Sequence, residues 1–109
     1  MASADEKPWT VDRSGRPYAL QVVLLKRIYV LPWTQFLYAE GSSDEVQAVF
    51  STHDVVVKGS DLTSLLSDFA AQQITVLKEP ARADKFEAQP GPRISSLQVR
   101  RMDTNTADV

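Results

Sequence analysis

The stretch Val55–Leu77 constrains the fold of this chain more than any other. It begins with three consecutive valines, which favour a strand, and it ends with Ile74, Thr75 and Val76, which favour another. Between them, apolar residues recur at helical spacing and form a single stripe: Leu62, Leu65, Leu66, Phe69 and Ala70. We therefore predict a helix at about 61–72, with Ser60 or Asp61 as its N-terminal cap and one buried face.

Apolar and β-branched runs along the whole chain, including the two ends of this stretch, predict strands. The segments concerned are 18–29, 33–39, 45–52, 55–57, 74–78 and 93–102. Pro32 lies between the first two, and a proline cannot donate to a sheet ladder, so it marks a strand start, a bulge or a sheet edge. The sequence thus predicts an α+β fold, a mostly antiparallel sheet of about five strands with the helix packed on one face.

A length of 109 residues is typical of one domain, and we place that domain at 18–102. Residues 1–17 mix charged, small and turn-forming side chains and are predicted to be a flexible arm, whereas 103–109 are predicted to be a disordered tail. Trp9 is the exception in the arm, because a large aromatic side chain is costly to leave in water. It is expected to dock on its own domain, the alternative being a partner.

The composition excludes several classes of chemistry. The chain contains no cysteine, so disulfides, thiolate nucleophiles and iron–sulfur clusters are ruled out. Twelve basic and fourteen acidic residues provide no bulk positive field to attract nucleic acid or membranes. The first seventeen residues are too charged for a secretory signal. We expect a soluble cytoplasmic protein with no cofactor, no metal and no membrane partner.

Candidate catalytic residues are few, and each has a plain structural interpretation. His53 beside Asp54 suggests a general base with its orienting carboxylate, but a histidine in a tight turn needs no such role. Acidic residues cluster in the loop that contains Glu40, Asp44 and Glu45, which lacks the spacing of a calcium-binding loop and can be simply a solvated turn. The sequence therefore leans away from an enzyme and assigns no catalytic residue.

Three arginines near the C-terminus are weak candidates for contact with a nucleic-acid backbone: Arg93, Arg100 and Arg101. Residues 18–77 contain three basic and six acidic residues, so the predicted core has the wrong sign for a polyanion. We expect these arginines to be solvated on a sheet edge and nucleic acid to be an unlikely partner.

Aromatic residues are concentrated around the second predicted strand: Tyr29, Trp33, Phe36 and Tyr38. That strand is apolar on both faces, and one helix can cover only one face of a sheet. The sequence predicts a non-enzymatic assembly or protein-binding module that forms homo-oligomers through this aromatic strand. Two alternatives remain: the aromatic residues form a core strand under the helix, or a small-molecule or enzymatic site uses the loops at 40–45 and 53–54.

Overall fold

The computed structural model describes residues 8–80 and 91–101, which form two four-stranded sheets and one α-helix. The elements are β1 (Trp9–Val11), β2 (Ala19–Val23), β3 (Ile28–Pro32), β4 (Phe36–Gly41), β5 (Glu45–Phe50), β6 (His53–Ser60), α1 (Thr63–Ala71), β7 (Ile74–Lys78) and β8 (Arg93–Arg101). Sheet A has the order β1-β7-β2-β3, and sheet B has the order β4-β5-β6-β8. The predicted α+β class is confirmed, whereas the single sheet of about five strands is wrong.

The helix connects a strand of sheet B to a strand of sheet A. Strand β6 pairs with β5 and β8 in sheet B, but β7, which follows α1, pairs with β1 and β2 in sheet A. The segment Val55–Leu77 therefore carries the chain from one sheet to the other. Among the strands of the described residues, all pairs are antiparallel except β2 with β7, where Gln21 lies opposite Val76.

The continuous strand predicted at 18–29 is a hairpin. Strands β2 and β3 are joined by a turn in which the Leu24 amide donates to the Arg27 carbonyl at 2.8 Å. Glu79, the residue after β7, makes two further hydrogen bonds to this hairpin: its Oε1 accepts from the Leu25 amide at 2.9 Å, and its amide donates to the Val23 carbonyl at 2.8 Å. The turn thus depends on a residue that is distant in the sequence, and it contains no glycine or proline.

The N-terminal segment also departs from the prediction. In place of a flexible arm over 9–17, Trp9–Val11 forms a strand that pairs with β7. Trp9 is 4% exposed, and its indole Nε1 donates to Asp68 Oδ2 on α1 at 2.7 Å. The expected docking of Trp9 on its own domain is therefore observed. Residues 1–7 and the predicted tail at 103–109 lie outside the described residues.

The helix is shorter than predicted at both ends. It begins at Thr63, with Leu62 as the N-cap residue and no side-chain cap, so neither Ser60 nor Asp61 plays that role. It ends at Ala71, because Gln72 adopts a left-handed conformation with φ of 57°. The Gln72 amide then donates to the Phe69 carbonyl at 3.0 Å. A non-glycine residue thus terminates the helix.

One hydrophobic core draws on both sheets and on the helix. Around Trp33, aromatic rings from three elements are in contact: Trp33 with Phe36 at 5.2 Å, with Phe50 at 5.7 Å and with Phe69 at 5.9 Å between ring centroids. The indole Nε1 of Trp33 also donates to the Ile74 carbonyl of sheet A at 3.2 Å. This tryptophan therefore links the sheets. No helix among residues 8–80 and 91–101 is long and apolar enough to cross a membrane.

Candidate interaction surface

The four aromatic residues predicted to form an interface do not lie on one surface. Trp33 is buried, in a 3-10 turn that precedes β4, and Tyr29 and Phe36 are half-buried against the core. Phe36 stacks on Phe69 of the helix with 6.0 Å between centroids, and Tyr29 contacts His53 edge-on at 5.5 Å. Only Tyr38 among the four is exposed, at 52%. Most of this set therefore packs inward.

Exposed apolar side chains are nevertheless concentrated in the same part of the chain. The large ones among the described residues are Tyr18, Leu25, Ile28, Val30, Leu37 and Tyr38. Ile28 and Val30 are 60% and 58% exposed, and they alternate along β3 with the half-buried Tyr29 and the buried Leu31. Leu37, on β4, is 60% exposed. In monomeric proteins, contiguous exposed patches of large apolar side chains are uncommon and usually mark an interaction site.

Both strands are sheet edges. Strand β3 is the last strand of sheet A and β4 is the first strand of sheet B, and within the described residues each pairs with one neighbour only. A strand at an edge presents backbone N–H and C=O groups that another chain can pair with. The exposed apolar side chains and the unpaired backbone groups therefore occur on the same two strands.

The pairing pattern identifies which backbone groups of β3 point outward. The β2–β3 hairpin has a backbone hydrogen bond at each end. The Leu24 amide donates to the Arg27 carbonyl, and the Trp33 amide donates to the Tyr18 carbonyl. Since bonded residues alternate along an antiparallel pair, Ile28, Val30 and Pro32 direct their backbone groups away from β2. Pro32 is therefore tolerated, because its nitrogen faces the edge and removes no bond from the ladder. Of the three roles predicted for Pro32, a strand start, a bulge or a sheet edge, the structure shows the edge, at the last residue of β3.

The same alternation applies to β4. The Ser42 amide donates to the Glu45 carbonyl at 2.7 Å at the end of the hairpin, so Glu40 and Tyr38 bond to β5. Ala39, between them, directs its N–H and C=O to the outer edge. Gly41 is required here, because a Cβ on it would overlap the Glu45 carbonyl oxygen and approach Val46 Cα to 2.7 Å.

The two hairpins carry opposite charges. The β2–β3 hairpin contains Lys26 and Arg27 and no acidic residue, whereas the β4–β5 hairpin contains three acidic residues, Glu40, Asp44 and Glu45, and no basic one. All five side chains are exposed. The edge at β3 is thus basic next to its apolar residues, and the edge at β4 is acidic next to its own.

Charged residues on neighbouring strands offset the opposite charges of the two hairpins only in part. Lys58 lies opposite Glu45 across β5 and β6, and the Glu79 carboxylate lies at the basic turn beside Leu25. Lys78 of β7, which is exposed, lies opposite Val23 and adds a third basic residue to Lys26 and Arg27 at this end of sheet A. An excess positive charge therefore remains at the β3 end and an excess negative charge at Glu40.

The two loops considered for a small-molecule site lie at opposite ends of β5. Six residues of antiparallel strand separate them, which corresponds to about 17 Å. A shallow depression of about 290 Å³ is lined by Glu40, Gly41, Ser42, Glu45 and Gln47, and neither His53 nor Asp54 lines it. His53 Nδ1 instead lies 2.9 Å from Thr52 Oγ1. The structure does not bring the predicted site residues together.

Asp54 has a structural role on the outer face of sheet B. It is buried, and its carboxylate accepts hydrogen bonds from Arg100 Nη2 at 2.8 Å and from Gln47 Nε2 at 2.7 Å. Burial alone would raise the pKa of Asp54, but these bonds and the positive charge of Arg100 hold that pKa below its ordinary value of 3.8. The carboxylate therefore stabilises the folded chain when it is ionised.

This arrangement predicts a pH dependence of stability. A lowered folded-state pKa gives a stabilisation that is complete above 3.8 and is lost as the pH falls through the folded value. We expect Asp54→Asn to be less stable than the wild type at neutral pH, with a difference that shrinks below about pH 4. Urea unfolding across the acid range measures the difference. The control is Arg101→Gln, on the exposed residue beside Arg100, whose curve should parallel the wild type. A constant difference for Asp54→Asn would contradict the assignment.

The three arginines considered for nucleic acid are spread over β8. Arg93 and Arg101 occupy its two ends, eight residues apart, which is about 27 Å. Arg100 is held by Asp54, and Arg101 lies opposite His53 in the register of β6 and β8. They do not form one basic cluster. Among the described residues no group of three or more histidine, cysteine or acidic side chains could hold a metal ion.

The residues that form the exposed edge surface were missed by sequence reasoning, apart from Tyr38. Leu25 and Ile28 were assigned to one continuous strand at 18–29 and Val30 lay outside it, and the available signal was Pro32, which indicated a strand start, a bulge or an edge without saying which residues face solvent. In comparisons with protein-family models, curated proteins and solved structures, no match was found.

Proposed function

We propose that this protein is a non-enzymatic assembly module that associates with further copies of itself through the edge strands β3 and β4. One observation carries the proposal: large exposed apolar side chains lie on two consecutive strands that are both sheet edges. Strand β3 has the sequence IYVLP and contains no charged residue, although charges are the usual protection of an exposed edge. Such an edge is suited to strand addition by another chain.

The surface differs from the aromatic strand favoured by the sequence. Its apolar contacts come mostly from aliphatic residues, with Tyr38 as the aromatic contributor. Trp33 and Phe36 do not belong to this surface. They pack in the core and anchor the turn between β3 and β4. The aromatic residues thus hold the two edges in place, and the exposed residues on those edges make the contact.

Sedimentation velocity and light scattering of the full chain, from micromolar to millimolar concentration, test the proposal. We expect the mass to rise with concentration, and Val30→Lys, at an exposed edge position, to prevent the rise. Gln21→Lys is the matched control, because Gln21 is exposed directly opposite Val30 but lies on the inner strand β2. Both substitutions should change stability by less than about 0.5 kcal/mol. A wild-type chain that stays monomeric throughout would overturn the proposal.

A further inference from the structure

We propose that the association is heterologous, with the β3 edge of one molecule pairing antiparallel with the β4 edge of a second copy. This inference rests on the self-association proposed above and adds which surface meets which. Charge decides between the arrangements. A symmetric β3–β3 contact would bring two basic hairpins together and a symmetric β4–β4 contact two acidic ones, whereas β3 with β4 joins a basic hairpin to an acidic one.

One register of the two strands satisfies several requirements at once. Hydrogen bonding requires residues with outward-facing backbone groups to lie opposite each other, and a register with Ile28 opposite Ala39 of the second copy meets this requirement. Counting outward in opposite directions then sets Val30 opposite Leu37, both of them exposed apolar residues. The same count sets Arg27 opposite Glu40. This register thus combines hydrogen bonding at Ile28 and Ala39 with apolar contact between Val30 and Leu37, which lies at the irregularity in the register of β4 with β5, and with opposite charges at Arg27 and Glu40.

A contact of this kind leaves one edge of each molecule unused. The molecule that contributes β3 still has its own β4, so that a third copy can be added, and assembly continues unless the rotation closes a ring. Symmetric pairing through β3 alone would end at the dimer. The expected mass distribution of the wild type therefore extends beyond two copies as concentration rises.

Reversing the charge on each side tests the pairing. Arg27→Glu places a glutamate opposite Glu40 across the contact, and Glu40→Arg places an arginine opposite Arg27, so each variant should associate about tenfold more weakly than the wild type. An equal mixture of the two variants restores opposite charges at every contact, and its association should return to the wild-type level. Both residues are exposed, so circular dichroism should show unchanged folding.

Arg16→Glu is the control for net charge, because Arg16 is exposed, lies outside both edge strands and undergoes the same charge change as Arg27. It should associate like the wild type. If Glu40→Arg associates normally while Arg27→Glu associates more tightly than the wild type, because repulsion between two basic hairpins is reduced, the contact is β3 with β3 and the heterologous pairing is overturned. A mixture that remains dissociated also overturns it. Either result leaves the proposed function standing, whereas a monomeric wild type removes both.

Discussion

Trp9→Ala is expected to cost about 3–5 kcal/mol of the free energy of unfolding, the range found when a buried tryptophan is truncated. A domain of this size has a total stability of about 5–15 kcal/mol, so the loss would be a large fraction of it. The reason is that Trp9 belongs to the core shared by the two sheets, although it is the first residue of the first strand.

Two comparisons make the Trp9 experiment specific. Tyr18→Ala truncates the aromatic residue that directly follows the predicted arm, but one that is 77% exposed, and it should change stability by less than about 0.5 kcal/mol. Trp9→Phe keeps most of the buried ring and removes the indole N–H that Asp68 accepts, so we expect about 1–3 kcal/mol. Denaturant unfolding followed by circular dichroism measures all three. Equal curves for Trp9→Ala and Tyr18→Ala would mean that the segment is the flexible arm predicted from sequence.

Asp68 shows why the local sequence pattern did not predict the N-terminal strand β1. It lies opposite the apolar stripe of the helix, where a carboxylate is expected to face water. In the structure it is buried, and its partners come from the N-terminal segment, with Arg13 Nη2 3.3 Å from Oδ1 in addition to Trp9. Helical periodicity identifies which residues face the core, but it carries no information on a distant strand that covers part of the other side.

The number of sheets could not be predicted from the sequence for a related reason. The strand–helix–strand pattern at Val55–Leu77 is visible in the residues, and the helix was located to within two residues of its observed bounds. The pattern does not show which strands pair with the second strand, β7. Strand β7 pairs with β1 and β2, which occur more than fifty residues earlier, and such pairings depend on the whole chain.

The candidate interaction surface was partly predictable. Its location near the aromatic residues followed from their concentration, and Pro32 indicated an edge. Which residues face solvent depended on the turn between β2 and β3, and that turn is held by Glu79 of a distant segment. Reading 18–29 as one strand made Ile28 part of a continuous run, whereas the hairpin places Ile28 on a different strand, at the edge.

Gly59→Ala is expected to destabilise the fold by about 3 kcal/mol, at the upper end of what overpacking costs. Strand β6 pairs with β8 along its whole length, and the register shifts between Lys58 and Gly59. At that point the two backbones approach closely. A Cβ on Gly59 would overlap the Arg93 carbonyl oxygen and lie 2.8 Å from its carbon and 3.0 Å from Ile94 Cα.

The atoms around Gly59 explain why no side-chain rotamer change can relieve the destabilisation expected for Gly59→Ala. All three are backbone atoms of β8, so the strand itself has to move and its hydrogen bonds to β6 with it. Gly15→Ala is the matched control, because its Cβ would meet nothing closer than Asp12 Oδ2 at 3.9 Å. Reduced entropy of the unfolded chain should make that variant as stable as the wild type or more stable by up to about 1 kcal/mol. If urea midpoints show equal stability for the two variants, β6 and β8 do not approach at Gly59, and the shift in register there is refuted.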